Sequence, residues 1–352
     1  MAQNVASAPA PHVRHEPAFP GPPDRRAIQP HKQRHTYGAL DLGTNNCRLL
    51  IARPTDGGFT VIDAFSRIVR LGDGLSQSGK LSDEAMDRAV CALSVCADKL
   101  RRRNVSLSRS VATEACRRAA NGRKFLERVR DETGIALEII EPAEEARLAM
   151  LGCHKLLEPG DGPALIFDIG GGSTELVLID QVSGVPRIRS WWSAPWGVVS
   201  LTESEGREAL EGEDRVKAYR RMRERVRRSF DQFQAMLPKD RKGIRLLGTS
   251  GTVTTLASVH LALPSYDRRA VDGLHVPIDA MRTISTMIAE MDYEERSALP
   301  CIGPDRADLV VAGCAILEAI LEIWPAQKLG VADRGIREGI LRSLMARDGY
   351  VL

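Results

Sequence analysis

Aromatic residues make up only 5% of the 352 positions, and no run of about eighteen apolar residues exists to span a bilayer. A soluble chain with no membrane partner is expected. Cys-x-x-Cys spacing is also missing: the seven cysteines, at 47, 91, 96, 116, 153, 301 and 314, are scattered and odd in number, which points neither to a zinc site nor to a disulfide framework. A reducing, cytoplasmic compartment fits them. A large charge excess is lacking too. The net charge of +3 is carried by Arg14, Arg25, Arg26, Lys32 and Arg34 against Glu16 and Asp24, so the chain beyond residue 36 is formally neutral. Any polyanion site must therefore come from local clustering, and no nucleic-acid polymer is expected as a partner.

A signal peptide would need an apolar core that the first residues do not have. Residues 1–36 instead hold seven of the nineteen prolines and four of the seven histidines, with almost no aliphatic periodicity. They are expected to form a disordered basic tail. The histidines show no recurring ligand spacing for a metal.

What the sequence does contain centres on residues 164–180, A-L-I-F-D-I-G-G-G-S-T-E-L-V-L-I-D. Two apolar, β-rich runs flank Gly170, Gly171 and Gly172, which reads as strand, glycine turn, strand. Consecutive glycines leave backbone N–H groups uncovered and free to take positive φ, so the main chain can approach a phosphate and donate to it. Ser173 and Thr174 add hydroxyl donors. Asp168 and Glu175 bracket the turn, and carboxylates beside a phosphate cradle need a cation between them; magnesium is expected, with manganese as the alternative. A dinucleotide fingerprint would need glycine at position 175 and a helix next, and neither is present. A Walker loop is absent as well. A glycine hairpin that binds nothing is the structural alternative.

Residues 37–52, Y-G-A-L-D-L-G-T-N-N-C-R-L-L-I-A, repeat the design. Sliding Asp41 onto Asp168 also superposes Gly43 on Gly170 and Arg48 on Glu175. A duplicated hairpin implies two related lobes facing a cleft.

The pair D-L-G-T-N and D-I-G-G-G-S-T-E resembles the two phosphate hairpins of the actin, sugar kinase and heat-shock chaperone ATPase superfamily. The wording D-I-G-G-G-S-T-E-L-V, with E-E-A-R at residues 144–147 before it, resembles one branch: the exopolyphosphatase and guanosine pentaphosphate phosphohydrolase (Ppx/GppA) family. The similarity runs from about Tyr37 to the end of the sequence.

Taken in order, residues 59–65 read as a strand, residues 67–75 as a basic strand ending in a glycine turn, and residues 81–100 as a helix capped by Ser82. The arginines at 101–103 suit a solvated helix C-terminus. Residues 110–113 are a strand leading into T-E-A-C-R-R, then a helix at 122–133. An arginine just past a strand end suits bidentate phosphate binding, and the family's arginine falls on Arg117. Residues 135–140 are a strand, and residues 143–154 a helix opening A-E-E-A-R. In the resembled family the second acid of this motif, here Glu145, is the base proposed to activate water. The helix dipole and a nearby metal are expected to hold it ionised.

Residues 158–163, E-P-G-D-G-P, are a turn-rich break and the expected lobe boundary: an N-terminal lobe at 37–158 and a C-terminal lobe at 159–352, whose last helix is expected to reach back to the first lobe. Residues 206–237 read as one long charged helix, whose basic run suits a solvated face better than a polyanion site. Residues 245–256, R-L-L-G-T-S-G-T-V-T-T-L, read as strand, glycine turn and helix start, an anion site at a helix N-terminus; the family has the same turn. Residues 303–317 are expected to be a helix, with Arg306, Asp308 and Arg337 in ion pairs.

The resemblance implies an α/β fold of two ribonuclease H-like lobes with mixed sheets around an interlobe cleft, and metal-assisted hydrolysis of a terminal phosphoanhydride. Asp41, Asp168 and Glu175 would hold the metal, and Glu145, Asp168 and Glu175 would carry the chemistry. Thr44, Asn45, Arg48, Arg117, Gly170, Gly171, Gly172 and Ser173 would bind phosphate, joined by Gly248, Ser250, Gly251 and Thr252. Polyphosphate is the first expected substrate. Many members carry a helical extension that helps hold long polyphosphate, whereas this sequence stops at Leu352, so processivity on long polymers is not expected and guanosine pentaphosphate stands as the second substrate. A homodimer is expected by analogy. A small-molecule kinase of the same fold and a non-catalytic nucleotide sensor are the alternatives from other classes.

Overall fold

The first sheet is built on Tyr37–Leu42 (β1), flanked by Asn46–Thr55 (β2), Gly58–Ile68 (β3), Leu107–Ala112 (β4) and the two-residue Glu138–Ile139 (β5). Their spatial order is β3-β2-β1-β4-β5. Between these strands lie helices Asp83–Arg102 (α1), Glu114–Arg118 (α2) and Gly122–Thr133 (α3), followed by Pro142–Cys153 (α4). The second sheet contains Ala164–Ile169 (β6), Thr174–Val182 (β7), Val185–Ala194 (β8), Arg245–Thr249 (β9), His275–Pro277 (β10) and Lys328–Ala332 (β11), in the order β10-β11-β9-β6-β7-β8. Its principal helices are Val198–Glu205 (α5), Arg215–Ser229 (α6), Gly251–His260 (α7), Val310–Ile323 (α8) and Ile336–Arg347 (α9). The computed structural model describes residues 35–160, 162–182, 185–212, 214–239 and 243–351. The expected tail thus lies outside the described residues, apart from His35 and Thr36.

Each sheet begins as an antiparallel meander and continues with a parallel strand. β1 pairs antiparallel with β2 and parallel with β4; β6 pairs antiparallel with β7 and parallel with β9. The registers match as well: Asp41 faces Arg48 in the first hairpin, and Asp168 faces Glu175 in the second. The duplication read from the two motifs is therefore a duplication of topology. β1 and β6 are buried almost throughout, as central strands covered on both faces are.

Two helices tie the halves together by crossing over. Ala146, Met150 and Cys153 of α4 pack on Ile166 and Val177 of the second sheet. α9, which ends the chain's helices, packs Ile340 and Leu341 with Tyr37 and Ala39 of the first sheet. The two helices touch backbone to backbone: a Cβ on Gly152 would lie 2.0 Å from the Gly335 carbonyl oxygen, and one on Gly339 the same 2.0 Å from the Leu148 carbonyl oxygen. Glu145, in the first turn of α4, is thereby set between the two sheets.

Several local expectations are corrected. The strand expected over 135–140 shortens to β5, because this edge strand pairs on one side only, with Val111 and Ala112. The long helix over 206–237 breaks into Arg207–Glu211, α6 and Asp231–Met236, with Gly212 closing the first segment. The helix expected from residue 303 starts at Val310, because Gly303 turns left-handed at φ 66° and Pro304 follows. The basic strand over 67–75 stops at Ile68. Ser82 does cap α1, accepting from the Ala85 N–H at 3.2 Å. Several arginines of α6 are ion-paired, Arg221 and Arg225 to Glu205 and Arg223 to Glu318, as suits a solvated charged face. Among the described residues no helix is long and apolar enough to cross a membrane.

Candidate active site

The two hairpin tips meet. A Cβ on Gly171 would lie 2.9 Å from Thr44 Cβ and 3.1 Å from the Asn45 nitrogen, and one on Gly172 would lie 2.8 Å from Thr44 Oγ1. Close approach is thus what requires glycine here. Positive φ is not: Gly170, Gly171 and Gly172 are absent from the positive-φ residues, contrary to the sequence expectation. The turn closes with ordinary backbone because its carbonyls find donors in α5. Val198 N–H donates to the Gly170 carbonyl at 3.0 Å and Val199 N–H to that of Gly171 at 2.8 Å. The first tip is held from behind, the Asn45 carbonyl accepting from Val69 and Arg70 at 2.8 and 3.0 Å and the Thr44 carbonyl from Gly72 at 2.9 Å.

A cavity of about 140 Å³ lies between the tips and α7. The first hairpin contributes Asp41, Thr44, Asn45 and Arg48 to its wall. The second contributes Asp168, Gly170, Gly171, Gly172, Ser173 and Glu175; α4 adds Glu145, and the start of α7 adds Ser250, Gly251 and Thr252. The Ser250 hydroxyl caps α7, accepting from Val253 N–H at 3.0 Å.

Two expected phosphate ligands stand elsewhere. Gly248 is absent from the cavity wall: a Cβ there would lie 2.5 Å from Phe167 Cζ and 2.9 Å from Val253 Cγ2, so this glycine serves core packing. Arg117 is absent as well, its guanidinium being bound to Glu114, Glu145 and the Ile140 carbonyl. The charged wall residues that sequence reasoning missed are Glu114 and Arg306. Glu114 sits in the same T-E-A-C-R stretch as Arg117, three residues before it. Arg306, expected in an ion pair, instead donates to Thr255 Oγ1 at 2.8 Å at the cavity edge. No local signature marks it. Of its expected companions, Asp308 does pair, with Arg70.

Five carboxylates line this cavity, Glu114 among them, and burial drives Asp41, Glu145, Asp168 and Glu175 toward the neutral form. Asp168 is pushed up to about 8 by burial, with the Glu175 charge adding to it. Burial, and then Glu175, hold Glu145 well above the usual carboxylate range, with Arg117 opposing. Asp41 is raised by burial against the attraction of Arg48. Glu175 is raised by burial although the Ser173 and Ser193 hydroxyls donate to its Oε1 at 2.8 and 2.9 Å. Among the chain's own charges, burial and Glu175 outweigh Arg117 at Glu145, so the ionised carboxylate expected there depends on the charge of a bound metal.

Such a set fits a hard divalent cation. Asp41 Oδ1 is buried with no hydrogen-bond partner, an oxygen suited to a metal or to its water. The expected trio does not form a ready cage: among the described residues no three His, Cys, Asp or Glu side chains are grouped to hold a metal. Both serine hydroxyls bond Glu175 through Oε1, and Asp41 and Asp168, which carry no such bonds among the described residues, are the first candidate ligands. One or two carboxylates, with waters and substrate phosphates completing the shell, is how magnesium is usually held.

The chain is similar to known proteins over most of its length. The family model described as Ppx/GppA phosphatase family matches residues 50–348. Exopolyphosphatase 2 of Mycobacterium tuberculosis is 32% identical over 320 residues, covering 87% of this chain and 97% of that protein. Guanosine-5'-triphosphate,3'-diphosphate pyrophosphatase of Aliivibrio fischeri is 28% identical over 305 residues, 86% of this chain and 58% of that one. The crystal structure of the Aquifex aeolicus Ppx/GppA family member superposes with a TM-score of 0.73 at 31% identity, covering 90% of this chain and 99% of that one.

Proposed function

This chain belongs to the Ppx/GppA phosphatase family, and from that premise we propose that it is an exopolyphosphatase, releasing orthophosphate from the end of inorganic polyphosphate. The observation that carries the reading is the composition of the cavity wall. Thr44 and Asn45 stand on one side, Ser173 and Thr252 on the other, and Arg48 and Arg306 add positive charge. A row of donors on facing walls suits a chain of linked phosphates.

Phosphoryl transfer asks for positioning and charge stabilisation. Asp41 and Asp168 would hold magnesium, which supplies charge neutralisation for the phosphoryl oxygens. Glu145 accepts a proton from water as the water oxygen attacks the terminal phosphorus. The bond from that phosphorus to the bridging oxygen breaks, its electron pair stays on the shortened chain, and orthophosphate leaves. Burial of Glu145 strengthens its hold on the proton once taken. The free cysteines suit the reducing, cytoplasmic setting we propose with this activity.

The likeness to the Aliivibrio fischeri protein favours a second reading, conversion of pppGpp to ppGpp. Orthophosphate release with magnesium, from long-chain polyphosphate and from pppGpp at equal concentrations of terminal phosphate, decides between them. Faster release from polyphosphate is expected. Faster release from pppGpp would replace the first reading with the second, and release from neither would overturn both.

A further inference from the structure

Arg117 is the residue that a phosphate-binding reading would place against substrate, and its hydrogen bonds leave it nothing to bind substrate with. A guanidinium has five N–H groups. Nε donates to Glu114 Oε2 at 3.1 Å; Nη2 donates to Glu114 Oε2 at 2.6 Å and to Glu145 Oε2 at 3.3 Å. Nη1 donates to the Ile140 carbonyl at 2.5 Å and to Glu145 Oε2 at 3.3 Å. These five bonds use the whole donor set.

The side chain is also removed from the cavity, while both of its carboxylate partners line it. Arg117 has 15% of its side chain exposed, Glu114 14% and Glu145 8%. Its three anchor points come from three places in the chain: Glu114 from the start of α2, Ile140 from the end of the β5 segment, and Glu145 from the first turn of α4. The planar fork therefore fixes the carboxylate of Glu145 relative to β4, which carries α2, and β4 pairs directly with β1 of the first hairpin.

We infer that Arg117 is a positioning residue for Glu145, itself steadied by Glu114, and is not a ligand of the substrate phosphates. This rests on the reading of Glu145 as the base. Both guanidinium bonds go to Oε2, so Oε1 is the oxygen left to face the attacking water. Glu114 performs a second task in the same arrangement: it balances the charge of Arg117, so that a cation buried beside the base does not act as a phosphate trap.

The test uses Arg117→Lys in the full chain, because lysine keeps the charge and loses the fork. With polyphosphate and magnesium, kcat is expected to fall roughly 100-fold, the usual cost of misplacing a reacting group by about 1 Å, while KM stays within about twofold. The Kd of tripolyphosphate, measured by calorimetry in EDTA, is expected to be unchanged. A Kd and KM raised tenfold or more with kcat retained would make Arg117 a phosphate ligand and overturn the inference. Should Arg117→Lys not fold, Glu114→Gln replaces it, with kcat expected to fall and a wild-type kcat overturning the proposal. Absence of turnover in the wild-type protein would instead sink the exopolyphosphatase reading. The crystal structure of Arg117→Lys then decides: a displaced Glu145 carboxylate sustains the inference, and one that keeps its orientation overturns it.

Discussion

Arg70 Nη1 donates to Asp308 Oδ2 at 2.9 Å, with Nη2 reaching Oδ1 at 3.5 Å, so a turn behind the first hairpin grips the turn that precedes α8 in the second lobe. Arg70 does so from a left-handed backbone, φ 47°, and its N–H donates to the Asn45 carbonyl. The ion pair thus links the interlobe contact to the tip of the first hairpin. Only 7% of the Asp308 side chain and 26% of that of Arg70 are exposed, so Asp308→Asn leaves a largely buried guanidinium short of its counter-charge. A loss of roughly 1–3 kcal/mol is expected. Thermal denaturation checks it, and an unchanged Tm would show that the pair contributes nothing to closure.

Glu145→Gln keeps shape and removes the proton acceptor. Turnover is expected to drop at least ~100-fold, the usual size of a positioned base, with Tm close to wild type because the amide still accepts from Arg117. Near-normal turnover would remove Glu145 from the mechanism.

Two glycines separate site from core. Gly171→Ala pushes a methyl group into the Thr44 and Asn45 contact, which parts the hairpin tips; KM for polyphosphate should rise and Tm fall. Gly248→Ala drives a methyl group into the Phe167 ring, an overpacking cost of roughly 1–3 kcal/mol, and should lower Tm while leaving KM alone. If both variants change KM equally, the assignment of Gly248 to the core is wrong.

The buried carboxylates set a pH dependence of stability. Asp168 has its folded pKa raised to about 8 from 3.8, so the folded state binds the proton more tightly than the unfolded state. Its contribution is complete below the unfolded value and is lost as pH rises through the folded one. In EDTA, Asp168→Asn should therefore raise Tm relative to wild type at pH 8, with the gain shrinking as pH falls toward 4. Magnesium should narrow the gain at pH 8, since it can bind the wild-type carboxylate and stabilise the fold that holds it. A gain that grows toward acid pH would reverse the sign and refute the burial argument.

The repeated D-x-G hairpins, their apolar flanking strands and the E-E-A-R helix start were legible because they are local: alternation of strand and turn, and glycine where a backbone must come close, are written in a few neighbouring residues. From those followed two related lobes facing a cleft, with Asp41, Asp168 and Glu175 at the hairpins; the two mixed sheets and the place of Glu145 came from the resemblance to the family. What the tertiary structure decided is where side chains of distant segments spend their hydrogen bonds. Arg117 and Arg306 look alike in sequence, each a surface-type arginine in a polar stretch. One is consumed by two carboxylates and a carbonyl behind the wall, while the other stands at the cavity edge. Gly248 and Gly171 both read as turn glycines in the sequence, yet Gly248 lies within β9 against Phe167 and Gly171 meets the facing hairpin. The carboxylate pKa values were likewise beyond sequence reading. They depend on burial and on charges brought together from separate parts of the chain, such as Glu175 and Arg48 beside Asp168.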